Sequence, residues 1–303
     1  MADYNNLKVW LDGEIIEYKE AKVPILTHSL QYGSGIFEGI RAYDTVNGPA
    51  IFRLDDHINR FFGSAKIYYM NLKFSSEEIK NAIINVVKAN DLKSCYIRPF
   101  AFYNDDSIGL SPFNKKISVF IAAVPFKEYL TELNGVRCKI SSWKRISSNI
   151  LPVKAKASGN YLNSIIAHLE ARYSGYDEAI MLAENANIAE GPGENIFIVK
   201  NRKVISPGTN SDILEGITRD TVLKISKDLG YEVLERDMHK EELYISDEVF
   251  FSGTAAEITP IVEIDGIKIG DGKPGNITLS IKERYMEIVH GKIKAYYNWL
   301  TFI

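Results

Sequence analysis

The longest apolar stretch in the sequence, Ile117 to Phe126, is too short to cross a bilayer, which takes about 20 apolar residues, and too rich in β-branched side chains to favour a helix. It reads as a buried strand, and short strand and helix patterns flank it on both sides. Lys8 to Ile16 reads as a hairpin, because Asp12-Gly13 sits between two apolar runs. From Leu54 to Met70 the apolar residues recur at helical spacing, with Asp55 and Asp56 placed to cap the N-terminus. Ser75 and Glu78 form a capping box ahead of the apolar face Ile79, Ile83, Val86 and Val87. Strands at Cys95–Tyr103 and Ile117–Val124 follow, and this mixed block ends near Pro125.

The polar stretch Lys127 to Gly135 reads as a linker, after which the pattern restarts. Strands are expected at Val136–Ser141, Glu178–Leu182, Asn195–Val199, Lys203–Ser206, Glu232–Glu235 and Glu248–Ser252. Helices are expected at Tyr161–Arg172, stopped by Gly175, at Thr218–Leu229, stopped by Gly230, and from Ile277 onward. The expectation is two α+β domains, residues 1–125 and 137–303, joined by a linker over 126–136. No internal repeat interrupts this reading.

Composition narrows the function classes. The 303 residues carry 36 Lys+Arg against 39 Asp+Glu, a net charge of −3, so no basic excess exists to hold a nucleic-acid backbone. The charges are interspersed, with no run that reads as a membrane-surface patch. Small molecules are the expected partners. Cys95 and Cys138 stand far apart and outside any Cys-x-x-Cys pair, which fits buried reduced thiols rather than a disulfide scaffold or a zinc site. The start Met1-Ala2-Asp3-Tyr4 lacks the basic and apolar regions of a signal peptide, so a cytoplasmic location is expected.

Nucleotide and zinc signatures are missing. There is no Gly-x-x-x-x-Gly-Lys-Ser/Thr loop and no His-Glu-x-x-His, and the five histidines are scattered singly. Gly33-Ser34-Gly35 with Gly39 has its third glycine one place late for a dinucleotide fingerprint. Four other segments carry chemistry. Lys154-Ala155-Lys156-Ala157-Ser158-Gly159-Asn160-Tyr161 sets a lysine at a strand end beside small residues that leave room for a flat ring. A desolvated amine there can attack an aldehyde, although a pair of solvated surface lysines is the commoner meaning of such a segment. Ala189 to Asn195 is a turn with two carboxylates, Glu190 and Glu194, either of which could face a pyridine nitrogen or simply solvate a Gly/Pro turn. Leu214 to Asp220 leads a glycine into a helix start, a natural phosphate seat or an ordinary cap by Thr218. Phe251 to Glu257 ends a strand with small residues whose amides could grip an anion or merely pack.

Taken together and in order, these segments resemble the branched-chain amino-acid aminotransferases, class IV enzymes of pyridoxal-5′-phosphate (PLP) fold type IV. The likeness includes Tyr32-Gly33, Ile36-Phe37-Glu38-Gly39-Ile40-Arg41, Ser64-Ala65-Lys66-Ile67-Tyr68 and Tyr96-Ile97-Arg98-Pro99. It continues through Lys156-Ala157-x-Gly159-Asn160-Tyr161, Glu190-Gly191-x-Gly193-Glu194-Asn195, Gly216-Ile217-Thr218-Arg219 and Ser252-Gly253-Thr254-Ala255-Ala256-Glu257. The resemblance implies the two-domain fold of this family, with a small N-terminal α/β domain and a larger C-terminal one. It makes Lys156 the Schiff-base lysine and proton shuttle, pairs Glu190 with the pyridine nitrogen, and places Tyr161 on the ring's phenolic oxygen. Arg60, the Ile217 and Thr218 amides, the Thr218 hydroxyl and Thr254 would hold the phosphate, and Glu194 falls to a structural role.

For substrates the resemblance implies that Arg98 and Tyr32 bind the second carboxylate of glutamate or 2-oxoglutarate, and that Tyr96 and the Thr254 and Ala255 amides take the α-carboxylate. Gly39 belongs to the same substrate-binding set. Phe37, Tyr129 and, across a subunit boundary, Ile108 and Leu110 would form an apolar pocket for leucine, isoleucine or valine. The implied reaction is ping-pong exchange of the amino group between these amino acids and 2-oxoglutarate, yielding branched-chain 2-keto acids and L-glutamate. The implied assembly is a homodimer at the least, with hexamers among bacterial-type members. Phe126, where relatives often carry tryptophan, and Ser158, where glycine is common, depart from the pattern and bear on substrate ranking. D-amino-acid aminotransferase and aminodeoxychorismate lyase share the fold and are the nearest rival readings.

Overall fold

The computed structural model describes residue 4 and residues 6–106, 108–126 and 135–303. The chain divides into two compact units. The first comprises residues 1–127, 155–159 and 288–303, and the second residues 128–154 and 160–287. The segments 155–159 and 288–303 therefore group with the N-terminal residues, where the sequence led us to expect one uninterrupted second domain over 137–303. Most of the expected linker lies outside the described residues.

The first unit is built on an eight-stranded sheet in the order Leu300–Phe302, Gly48–Phe52, Ile40–Thr45, Cys95–Tyr103, Ile117–Pro125, Lys8–Leu11 and Glu14–Glu17, with Gly35–Phe37 also pairing to Cys95–Tyr103. The apolar run Ile117 to Phe126 is the buried strand it was expected to be, paired in register from Cys95↔Pro125 to Tyr103↔Ile117. Lys8 to Glu17 forms the expected hairpin, closed at Leu11↔Glu14. Helices Leu54–Ile67 and Ser76–Ala89 place Ile58, Phe61, Ile79, Ile83 and Val86 in one core with Ile97 and Ile121. Full burial of each such side chain contributes about 1.5–3 kcal/mol.

The capping box is present in full: the Ser75 hydroxyl accepts from the Glu78 amide and the Glu78 carboxylate accepts from the Ser75 amide. Asp55 and Asp56 are not caps. The cap position belongs to Arg53, in left-handed backbone with no side-chain cap bond, and both aspartates lie in the first helical turn. There they face the positive end of the helix dipole, with Asp56 paired to Arg53 and Asp55 to Lys80.

The second unit is a nine-stranded sheet in the order Ile188–Glu190, Glu178–Leu182, Val136–Ile140, Glu257–Ile264, Glu248–Gly253, Asn195–Lys200, Lys203–Ser206 and Glu232–Glu235, with Ile267–Lys268 beside Glu257–Ile264. Ile188–Glu190 pairs a second time, with Asn195–Lys200 through Glu190↔Asn195, so the first six strands of that order close into a ring. Three of its pairs are parallel: Val136–Ile140 with Glu178–Leu182, Val136–Ile140 with Glu257–Ile264, and Lys203–Ser206 with Glu232–Glu235; the first and last are crossovers that carry a helix. Tyr161–Tyr173 lies in the chain between Val136–Ile140 and Glu178–Leu182, and Ile217–Asp228 between Lys203–Ser206 and Glu232–Glu235. Val136, Ile180, Ile196, Val249 and Ile261 fill its core. Every strand and helix expected in this region is found with ends shifted by at most two residues; the strands Ile188–Glu190 and Glu257–Ile264 were not expected. Among the described residues no helix is long and apolar enough to cross a membrane.

Candidate active site

Lys156 belongs to the first unit and is not at a strand end as the sequence suggested. Its segment is irregular and is held by one antiparallel bridge, Ile36↔Ala157, by the Phe37 amide donating to the Lys156 carbonyl at 3.0 Å, and by the Lys156 amide donating to the Ser64 hydroxyl at 3.0 Å. These bonds fix the backbone and leave the half-buried side chain over the Phe37 ring, with Nζ 5.0 Å from its centre. The opposite environment surrounds Lys154, in the second unit, whose Nζ donates to the Glu215 carboxylate and the Thr209 carbonyl, each at 2.6 Å.

Alternation along Cys95–Tyr103 sends Tyr96, Arg98 and Phe100 to one face of the sheet. The Arg98 guanidinium stacks 4.5 Å over Phe37, its Nη2 donates to the Tyr96 hydroxyl at 3.2 Å, and its Nε is buried with no hydrogen-bond partner among the described residues. An orphaned guanidinium nitrogen costs free energy unless something binds it, and a carboxylate is the acceptor whose geometry it matches. Gly39 is required beside it, since a Cβ there would lie 2.0 Å from the Tyr96 hydroxyl oxygen. Phe37, Gly39, Tyr96, Arg98 and Lys156 are thus brought together.

Next to Phe37 in the sequence, Glu38 is fully buried and accepts from Arg60 Nε at 2.7 Å, Arg60 Nη2 at 2.9 Å and His57 Nδ1 at 2.7 Å. Burial pushes its carboxyl up, but the Arg60 guanidinium with its paired hydrogen bonds and the His57 contact outweigh that and hold it well below the ordinary 4.5. Burial drives His57 the other way, below its ordinary 6.5. Tyr32 ends the short helix His28–Tyr32 and packs its ring 4.6 Å from that of His28. Ile108 and Leu110 lie in the loop after Cys95–Tyr103, 79% and 80% exposed, with the Leu110 carbonyl accepting from His28 Nε2 at 3.1 Å. Tyr129 lies outside the described residues.

The second unit centres on Glu190. Its buried carboxylate accepts from Arg145 Nε at 2.8 Å, from Asn195 Nδ2 at 3.0 Å, and from the Leu214 amide at 3.3 and 3.2 Å. Asn195 also donates to the Leu214 carbonyl at 2.9 Å, so one side chain ties the carboxylate to the loop that enters helix Ile217–Asp228. Gly216 caps that helix without a side-chain bond, and a Cβ there would lie 1.9 Å from Asn195 Oδ1. Thr218 is therefore the second helical residue, buried, rather than the cap. The uncapped amides of Ile217 and Thr218 lie at the positive end of the helix dipole, an arrangement that suits an anion.

Thr254 and Ala255 occupy the tight turn between Glu248–Gly253 and Glu257–Ile264, half-buried, beside a buried Ser252 hydroxyl with no partner among the described residues. Gly253 approaches the Gly193 carbonyl, so this turn adjoins the one carrying Glu190. Tyr161 starts helix Tyr161–Tyr173 and borders a cavity of about 220 Å³ together with His168, Glu178 and Glu194. Burial pushes the Glu194 carboxyl up to about 8 and that of Glu178 up to about 7, each raised further by neighbouring carboxylates. Glu178 and His168 Nδ1 stand 2.8 Å apart, and burial moves both toward their neutral forms.

Within the second unit the groups fit a phosphorylated pyridine: a caged carboxylate at Glu190, an uncapped helix start at Ile217 and a tight turn at Thr254 and Ala255. Sequence reasoning gave no role to Glu38, His57, Arg145 or Asn195. The first two had a signal, a glutamate inside the apolar run Ile36–Ile40 and two N–H donor side chains, His57 and Arg60, three apart on one helix face. Arg145 had none, because it meets Glu190 across 45 residues of chain.

The family model for amino-transferase class IV matches residues 35–264. A curated relative from Pseudomonas aeruginosa, a branched-chain-amino-acid aminotransferase, is 43% identical over 306 residues, covering 100% of this chain and 99% of its own. Among solved structures, the branched-chain aminotransferase of the archaeon Thermoproteus uzoniensis, with norvaline, superposes with a TM-score of 0.94 at 49% identity over 97% of this chain and 98% of that one. The branched-chain amino acid aminotransferase of Thermobaculum terrenum, in its PLP-bound holo form, superposes with a TM-score of 0.94 at 38% identity over 99% of both chains.

Proposed function

Since the chain belongs to the branched-chain-amino-acid aminotransferases of the class IV amino-transferase family, we propose that it uses PLP to exchange amino groups between L-leucine, L-isoleucine or L-valine and 2-oxoglutarate. The observation that carries this reading is Asn195, one side chain bonded both to the Glu190 carboxylate and to the loop ahead of the uncapped helix start. It offers a carboxylate for a ring nitrogen and amides for a phosphate within one small framework.

When bound, the cofactor supplies an aldehyde that condenses with an amine and a ring that withdraws electrons. Glu190 accepts from the ring nitrogen, and Tyr161 bonds the phenolic oxygen. Arg60, Thr254 and the Ile217 and Thr218 amides, with the Thr218 hydroxyl, take the phosphate. Lys156 would hold the cofactor through its amine and, once a substrate amine has taken that place, would carry the proton from the substrate α-carbon to the former aldehyde carbon on the other side of the nitrogen. The amino acid leaves as its 2-keto acid before 2-oxoglutarate enters and leaves as L-glutamate, a ping-pong order.

Tyr96 with the Thr254 and Ala255 amides holds the α-carboxylate. Phe37, Gly39 and Tyr129, together with Ile108 and Leu110 of a second copy, receive the aliphatic side chain. Arg98, with its orphaned Nε, and Tyr32 receive the second carboxylate of the acceptor. A homodimer is the smallest working assembly, and the cytoplasm, where the buried free thiols Cys95 and Cys138 stay reduced, is the setting.

The test is absorbance. Protein incubated with PLP should absorb in the visible range, L-leucine should change the spectrum, and 2-oxoglutarate should restore it. No visible absorption after incubation ends the proposal, and turnover of D-alanine without L-leucine would assign the D-amino-acid enzyme instead.

A further inference from the structure

Arg145 and Glu190 form an ion pair in which both side chains are more than nine-tenths buried, with Arg145 Nε donating to Glu190 Oε1 at 2.8 Å. The Arg145 backbone is itself fixed, its amide donating to the Leu182 carbonyl at 2.8 Å. Satisfying the carboxylate does not require a cation, since Asn195 and the Leu214 amide already donate to it. The cation also brings a cost: Arg145 Nη1 is buried with no hydrogen-bond partner among the described residues. A buried ion pair is a poor source of stability, and one that orphans a donor is poorer. The positive charge therefore has a use other than holding the fold.

We propose that Arg145 is a positioning residue for transamination, its guanidinium preventing Glu190 from drawing the proton off the cofactor's ring nitrogen. The inference rests on the assignment of Glu190 to that nitrogen. A proton between a ring nitrogen and a carboxylate sits on whichever is the stronger base, and an adjacent cation makes the carboxylate the weaker one. The four N–H contacts from Arg145, Asn195 and Leu214 all suit a carboxylate that only accepts. With the charge in place the ring keeps its proton and withdraws electrons from the α-carbon while Lys156 removes the α-proton. Without it the proton passes from ring nitrogen to a Glu190 oxygen, and the neutral ring withdraws less. No electrons change hands in that transfer, and no other reactant is needed.

The experiment uses holoenzyme reconstituted with PLP labelled with ¹⁵N in the ring, comparing wild type, Arg145→Lys and Arg145→Met. Wild type and Arg145→Lys should show the shift of a protonated ring nitrogen, and Arg145→Met a shift toward the unprotonated form. Arg145→Met should lose at least about tenfold in kcat with KM for L-leucine little changed, and show a larger isotope effect with α-deuterated leucine. Reconstitution with an analogue carrying C–H in place of the ring nitrogen should erase the difference between wild type and Arg145→Met. A wild-type ring shift in Arg145→Met, or an equal loss with the nitrogen-free analogue, overturns the proposal. A ring shift unaltered by Glu190→Gln would instead reject the Glu190 assignment beneath it. If Arg145→Met does not fold, Arg145→Gln against Arg145→Lys carries the same comparison, and identical ring shifts in those two overturn it.

Discussion

Arg60 grips both carboxylate oxygens of Glu38, through Nε at 2.7 Å and Nη2 at 2.9 Å, in a pair whose glutamate has no exposed surface. Two parallel hydrogen bonds restrict the guanidinium plane as one could not, so Glu38 sets the direction in which Arg60 presents its remaining N–H groups. His57 adds a third donor to the same carboxylate, three residues earlier on the helix.

Removing that carboxylate should be costly in two separable ways. Glu38→Ala leaves Arg60 largely buried beside His57 without its anion, and chemical denaturation should report a loss of about 3–5 kcal/mol. Glu38→Gln should keep the fold better and still weaken binding of PLP relative to pyridoxal, which lacks the phosphate. Equal weakening for both would show that Glu38 serves the fold rather than Arg60. The pH dependence has a definite sign. A carboxyl held below its ordinary 4.5 releases its proton more readily in the folded chain, so its stabilisation is complete above that value and drains away as the pH falls below it. Glu38→Gln should flatten this acid limb.

Glu194 and Glu178 work in the opposite direction. Their carboxyls are pushed up by burial, to about 8 and about 7, so over this range the folded chain holds protons that the unfolded chain releases. Stability should therefore fall as the pH rises from the ordinary 4.5 toward 8, by up to about 1.4 kcal/mol per pH unit for each such proton. Melting temperatures of wild type and Glu194→Gln between pH 5 and 9 check this: the variant should lose less on the alkaline side. Parallel curves for the two proteins would contradict the assignment.

What the sequence revealed of this region, and what it hid, follows the range of the interactions. The Ser75–Glu78 box and the hairpin closing at Leu11↔Glu14 depend on residues within a few positions, and both were legible. The strands Ile188–Glu190 and Glu257–Ile264 were not, because the first is three residues long and the second is entered through a turn whose small residues advertise no strand. Lys156, Glu190 and the helix start near Thr218 were recognisable as chemistry only as an ordered set. The cage around Glu190 was hidden altogether, since Arg145 and Leu214 reach it from 45 and 24 residues away. Asp55 and Asp56 misled because acidic residues favour both the cap and the first turn, and Arg53 in left-handed backbone took the cap position.

Gly39 tests the substrate end of the first unit. A methyl group there would lie 2.0 Å from the Tyr96 hydroxyl oxygen, so Gly39→Ala must displace that tyrosine and with it the Arg98 contact at 3.2 Å. Tyr96 is only half-buried, so the ring can swing outward and the melting temperature should change little. A displaced carboxylate-binding group should instead lower kcat/KM for L-leucine roughly 10- to 100-fold, chiefly through KM. Unchanged kinetics in a folded Gly39→Ala protein would remove Tyr96 from the substrate site.

The two neighbouring lysines give the sharpest contrast. Lys154 has its amine committed, to the Glu215 carboxylate and the Thr209 carbonyl, in a pair exposed by 39% and 58%. Such a bridge contributes about 0–1 kcal/mol, so Lys154→Ala should fold, bind PLP and turn over L-leucine nearly as wild type does. Lys156 has its backbone clamped by Ser64 and Phe37 while its amine stands over an aromatic face, an arrangement that fixes the attachment point. Lys156→Ala should remove the visible absorption given by PLP and lower transamination by more than about 10³-fold, with melting little altered because the clamping bonds are all to main chain. The reverse outcome, activity lost with Lys154→Ala and kept with Lys156→Ala, would move the reactive amine two residues upstream, to a side chain that a carboxylate already holds.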